Sequence, residues 1–146
     1  MKALWFHKVN MRQLNIRTPF IVSEPMLKML AVDDDHCMLK LYELMTDRWE
    51  VDLDLTCVDN FDDAVAYLKI ESPDILILDL NLNGVDGREL VRSLQGDVRH
   101  QDVKVVVVSG RVVHDCDRAE GMPEDVVYML KPVDFGALKL LAMDLV

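Results

Sequence analysis

Glycine and proline are scarce in this sequence, 6 and 5 residues of 146, which argues against a collagen-like repeat, a low-complexity linker or a disordered tail. Cysteine is scarcer still. Cys37, Cys57 and Cys116 are odd in number, form no C-x-x-C pair and stand at no zinc-ligand interval from the histidines. Reduced thiols in the core or near the surface are expected, not a disulfide framework or a zinc site. No apolar run approaches the ~20 residues of a membrane helix. The stretch Ala3–Phe6 is too short for a signal-peptide core. A soluble, cytoplasmic protein with no membrane partner follows as the expectation. Basic charge is the last deficit: 16 Lys and Arg face 26 Asp and Glu, a net charge of −10. A surface of that sign repels a phosphate backbone, so direct nucleic acid binding by the domain is not expected.

What is present is a mostly apolar chain, 51% hydrophobic and 29% charged. Its length suits one domain able to bury roughly 70% of the surface of its unfolded chain. The charge is unevenly placed. Residues 1–28 carry Lys2, Lys8, Arg12, Arg17 and Lys28 against Glu24 alone, a net +4 that leaves the remainder at −14. Residues 1–27 therefore read as a basic N-terminal extension, mobile or ordered by a partner, and residues 28–146 as the folded domain.

From residue 29 onward, apolar runs alternate with amphipathic stretches. Met29–Val32 is a short buried strand ending at Asp33-Asp34-Asp35. Met38, Leu41, Tyr42 and Met45 recur at helical spacing, which predicts a helix over about 35–47 capped by an aspartate. Trp49, Val51, Leu53, Leu55 and Cys57 alternate with polar residues, as on a strand with one wet face at a sheet edge. Phe61, Ala64, Val65 and Leu68 mark a second helix, with Asp62 and Asp63 favoured in its first turn. Ile75–Leu78 is apolar on both faces, as a central parallel strand requires, and ends at Asp79. Leu90, Val91 and Leu94 define a third helix that Gly96 can terminate. Val103–Val108 is the next strand, ending at Ser109, and Val126–Leu130 is the fifth, ending at Lys131-Pro132. Asp134 caps a last helix with the stripe Phe135, Leu138, Leu141, Ala142 and Leu145. Between the last two strands, residues 111–122 form a poor helix. The alternation makes a (βα)5 chain, hence an α/β fold with a doubly wound parallel sheet whose working site lies beyond the carboxyl ends of the strands.

Those ends hold Asp33, Asp34, Asp79, Ser109 and Lys131. Three close carboxylates repel one another, and one lysine cannot neutralise them. A hard divalent cation with oxygen ligands and room for a phosphate oxygen suits the arrangement, and Mg2+ is the natural choice. A carboxylate there can take a phosphoryl group directly, with the lysine and a hydroxyl stabilising the equatorial oxygens.

The set Val32-Asp33-Asp34, Leu78-Asp79-Leu80-Asn81, Val108-Ser109-Gly110 and Lys131-Pro132 resembles the receiver domain of two-component response regulators over residues 28–146. The resemblance implies a flavodoxin-like, five-stranded sheet of order 2-1-3-4-5 and a phospho-accepting Asp79. It also implies Mg2+ held by Asp34, Asp79 and the Asn81 backbone carbonyl, with Asp33 acting mostly through water. Ser109 then becomes the switch hydroxyl, Lys131 the phosphoryl ion pair ahead of a cis Pro132, and Tyr128 the switch aromatic. Asp86-Gly87 matches the turn before the third helix. Leu82-Asn83 stands where the family often has Met-Pro, which predicts a less rigid loop after Asp79, and Gly110 replaces a common alanine. The implied partner is a histidine kinase or phosphotransfer protein, with a homodimer or a separate output domain downstream.

Two other functions compete. A phosphohydrolase of the haloacid-dehalogenase type uses similar groups, but needs Asp-x-Asp followed by Thr or Val, where this chain has His36-Cys37 after its acids. A pseudo-receiver would bind partners without phosphorylation. The intact acid set argues against it. His7, His36, His100 and His114 carry structural or surface readings.

Overall fold

The computed structural model describes residues 26–111 and 121–146. The expectations for the N-terminal extension, for Cys116 and for most of the weak helical segment fall outside them. The described elements are β1 (Leu27–Val32), α1 (His36–Thr46), β2 (Leu53–Val58), α2 (Phe61–Ile70), β3 (Ile75–Asp79), β4 (Asn81–Leu82), β5 (Val85–Asp86), α3 (Arg88–Gln95), β6 (Lys104–Ser109), β7 (Val127–Leu130) and α4 (Phe135–Met143). A short 3-10 turn, Val98–His100, precedes β6.

Five strands form one parallel sheet, ordered β2-β1-β3-β6-β7. Counted within that sheet, the order is 2-1-3-4-5. Alternating side chains divide the core between its two faces, as the strand pleat dictates. Met29, Ala31, Ile75, Ile77, Val106 and Val108 pack with Leu39 and Tyr42 of α1 and Leu138 and Ala142 of α4. Leu30, Val32, Leu76, Leu78, Val105 and Val107 pack with Ala64 and Leu68 of α2 and Leu90, Val91 and Leu94 of α3. Central strands buried on both sides explain why their sequences are continuously apolar instead of alternating.

Helix starts follow their caps. Asp35 accepts from the Cys37 amide at 2.9 Å, Asn60 from Asp63 at 2.8 Å and Asp134 from Ala137 at 2.9 Å. Each side chain satisfies a donor that the first helical turn leaves open. The inward face of α1 differs from the periodic stripe. Leu39, Tyr42 and Thr46 are buried, whereas Leu41 is exposed. The strand predicted from Trp49 begins only at Leu53, because Trp49 closes a turn on the Thr46 carbonyl at 2.9 Å.

The largest departure follows β3. The loop expected to be less rigid is a closed hairpin, with Asn81 opposite Asp86 and Leu82 opposite Val85. Asn83 and Gly84 form its two-residue turn with φ of 51° and 85°, the signature of the type I′ turn that matches strand twist. Leu82 is 1% exposed and pins the hairpin to the core. Gly87, the next residue but one to Val85, lies against the Asp79 carbonyl oxygen, 2.5 Å from where a Cβ would stand. Only glycine permits that approach.

Candidate functional site

The parallel register builds the site. Val32, Leu78, Val107 and Tyr128 lie in one row across β1, β3, β6 and β7. The residues just beyond that row, Asp33, Asp79, Ser109 and Lys131, therefore emerge at a common sheet edge. Carboxylate oxygens of Asp33, Asp34 and Asp79 lie within 4.8 Å of one another. The Lys131 ammonium donates to Asp33 Oδ2 at 3.0 Å and to Asp79 Oδ2 at 3.0 Å. Two acids, 98 and 52 positions before it in the chain, thus share this lysine.

The charges do not balance. Among the described residues, three carboxylates face one ammonium, a formal surplus of two negative charges. Asp33 is 1% exposed, and burial pushes its carboxyl above the usual carboxylate range despite the Asp35 amide and Lys131. Burial alone would lower the Lys131 ammonium, but its bonds to Asp33 and Asp79 outweigh that and raise it. An all-oxygen, net-negative donor set open to solvent on one side fits a hard divalent ion such as Mg2+, which keeps several waters.

The remaining expected residues surround this cluster. Ser109 ends β6, its hydroxyl accepts from the Arg111 amide at 3.1 Å, and its carbonyl accepts from the Lys131 amide at 2.8 Å. The Lys131–Pro132 peptide is cis. Asn81 donates its amide to Asp79 Oδ1 at 3.0 Å, and its side-chain oxygen accepts from the Gly84 amide at 3.2 Å. Tyr128 is half-buried and packs toward the α2 and α3 side of the sheet. His36 is not in the three-acid cluster; it is exposed and lies 3.3 Å from Asp59. His100 is buried, bonded to Ser72 and to the Leu68 carbonyl at the opposite end of the sheet. Both follow their expected surface and structural readings.

One contributor escaped the sequence reading. The Asn83 amide donates to Asp34 Oδ2 at 3.0 Å. The Asn-Gly pair between Leu82 and Val85 was the signal for it, since that dipeptide marks a two-residue hairpin turn. A cavity of about 420 Å³ lies to one side, lined by His36, Leu39, Lys40, Glu43, Cys57, Val58, Asp59 and Asp63. None of the clustered acids reaches it. Burial pushes the Cys57 thiol there up to about 11.

Among solved structures, a receiver domain of a response regulator from Methylobacillus flagellatus matches the fold with a TM-score of 0.69 at 22% identity. That match covers 84% of this chain and 100% of the other. The receiver domain of a sensor histidine kinase from Pseudomonas aeruginosa, solved with magnesium coordinated in its active-site cleft, matches with a TM-score of 0.68 at 18% identity. It covers 82% of this chain and 97% of that one. At such identities the likeness is one of fold. By sequence, the regulatory protein VirG of Agrobacterium fabrum is 30% identical over 126 residues, 85% of this chain and 47% of that protein. The chain spans about a third to a half of the length of the first curated relatives it matches. Among the described residues no helix is long and apolar enough to cross a membrane. The family model of the response regulator receiver domain matches residues 29–142, and with most of its length so matched, the chain belongs to that family of signalling domains.

Proposed function

We propose that this chain is a phosphorylation switch in which residues 28–146 form the receiver unit and Asp79 accepts a phosphoryl group from a histidine kinase or phosphotransfer protein in the cytoplasm. The observation that carries the reading is the Lys131 ammonium held 3.0 Å from both Asp33 and Asp79 beside a third carboxylate. An Asp79 oxygen attacks the phosphorus, its bond to the donor imidazole nitrogen breaks, and that nitrogen keeps the electron pair. Asp33, Asp34, Asp79 and the Asn81 backbone carbonyl would hold Mg2+, which when bound supplies charge stabilisation to the phosphoryl oxygens. Lys131 adds its charge on the other side. Ser109 donates its hydroxyl to the new oxygens, and the Tyr128 ring changes burial as Ser109 moves. In a separate step, water attacks the phosphorus, the bond to the Asp79 oxygen breaks, the carboxylate is regenerated and inorganic phosphate leaves, so the chain assists its own dephosphorylation.

Two conformations differing by a few kcal/mol suffice for signalling, with the added charge biasing one. The face near Ser109 and Tyr128 is then where an output domain, a partner or a second copy binds. The experiment is intact mass after incubation with acetyl phosphate and Mg2+. A single phosphoryl adduct is expected on the wild type and none on Asp79→Asn. No adduct on the wild type, or one that persists in the variant, contradicts the assignment.

A further inference from the structure

Lys131 serves two of the three clustered acids and leaves out the third. Asp34 has its polar support elsewhere. Among the described residues, the hydrogen bond to its side chain comes from the Asn83 amide, 3.0 Å from Oδ2 and 49 positions along the chain. That donor is available because of the turn. In a two-residue hairpin the flanking pair, here Leu82 and Val85, closes the ladder, so the first turn residue has no ladder partner for its N–H. The hairpin is also fixed at its base. Leu82 is buried, the Asn81 amide is bonded to Asp79 Oδ1, and the Gly87 amide donates to the Leu80 carbonyl at 2.8 Å. The amide of Asn83 is therefore aimed by a paired hairpin bonded at its base.

We propose that the Asn83–Gly84 turn is a positioning device for the ion site. Its amide holds Asp34 by one oxygen and so presents the other beside Asp33 and Asp79. A charge-assisted bond from a fixed donor selects one orientation of a side chain that no cation among the described residues restrains. Groups that orient metal ligands from behind commonly change affinity by about 10–100-fold when lost. The φ of 51° at Asn83 restricts the position to residues that tolerate left-handed backbone. The proposal rests on the reading that the three carboxylates hold Mg2+.

The test is a Mg2+ titration of the full chain followed by amide chemical shifts, with amide hydrogen exchange on the ion-free protein. Asn83→Val, which strains the left-handed turn, should weaken Mg2+ binding by about 10-fold, while Asn83→Gly, which keeps both the N–H and the conformation, should stay within about two-fold of wild type. Asp34→Ala should speed exchange of the Asn83 amide by about ten-fold and leave β6 amides unchanged. The exchange measurement does not depend on Asn83→Val folding well. Equal Mg2+ affinity in Asn83→Val and wild type, or an Asn83 amide indifferent to Asp34→Ala, overturns the positioning role while the ion site stands. No Mg2+-dependent shift at Asp33, Asp34 or Asp79 in wild type overturns the ion site itself, and the positioning role with it.

Discussion

The two ends of the central sheet are built on opposite terms. At the amino ends of the strands, polar groups are matched. Lys28 bonds Glu71 at 2.7 Å and its amide bonds Asp74 at 2.8 Å. Lys104 reaches the Asp125 carbonyl at 2.8 Å. His100, 6% exposed, ties the end of α2 to the turn before β6 through the Leu68 carbonyl at 3.0 Å and Ser72 at 2.9 Å. At the carboxyl ends, three acids cluster and, among the described residues, one lysine bonds two of them. One end closes the fold. The other holds a charge surplus that costs stability until a cation arrives, which is how a binding site differs from a structural network of the same residue types.

That contrast is sharpest when the bridging lysine is removed. Lys131→Met leaves the buried Asp33 without a counter-charge, and ion-free stability should fall by about 3 kcal/mol in urea denaturation. A loss no larger than that of an ordinary surface lysine would erase the distinction between the ends. His100→Ala probes the matched end. It leaves the Leu68 carbonyl without its donor and opens a gap, at a cost of about 2 kcal/mol. Mg2+ affinity should not change with it, and a parallel loss of affinity would mean that the two ends are coupled.

The smallest of the three effects runs the other way. Asp33→Asn removes a charge that burial disfavours and should raise ion-free stability at pH 7 by about 1 kcal/mol. The sign follows from linkage. Because burial raises the Asp33 carboxyl above the ordinary aspartate value of 3.8, the protonated form is the one folding favours. The associated stability is present below 3.8 and is lost as pH rises through the raised native value. The gap between variant and wild type should therefore narrow on acidification across that window. Asp97 has the opposite sign. Arg99 holds it at about 2, so its contribution is present above the ordinary carboxylate value and is lost only as pH falls toward 2.

Most of this architecture was legible because it is written in short-range patterns. Continuous apolar runs at Ile75–Leu78 and Val105–Val108 gave central strands, and the acids following Val32 and Leu78 gave the cluster once parallel register was assumed. Caps at Asp35 and Asp134 were readable for the same reason, since capping needs a named side chain at a named offset. The face of α1 was not. Leu41 fits the helical stripe but is exposed, while the less hydrophobic Thr46 is buried with its hydroxyl on the Tyr42 carbonyl at 2.8 Å. Which stripe turns inward depends on the sheet beneath it, which periodicity does not describe. The hairpin was missed differently. Its Asn-Gly signal is local, but the flanking strands are only two residues each, too short for alternation to show. Its link to Asp34 is a tertiary contact between backbone and side chain, and no spacing encodes it.

The central claim is that Asp33, Asp34, Asp79 and Lys131 form one cation-dependent site. Thermal unfolding with and without Mg2+ tests it most directly, because an ion that binds only the folded state stabilises it by RT ln(1 + [L]/Kd). Mg2+ should raise the unfolding midpoint of the wild type, and Asp34→Ala should abolish that increment while still folding. An increment of equal size in both proteins would contradict the account.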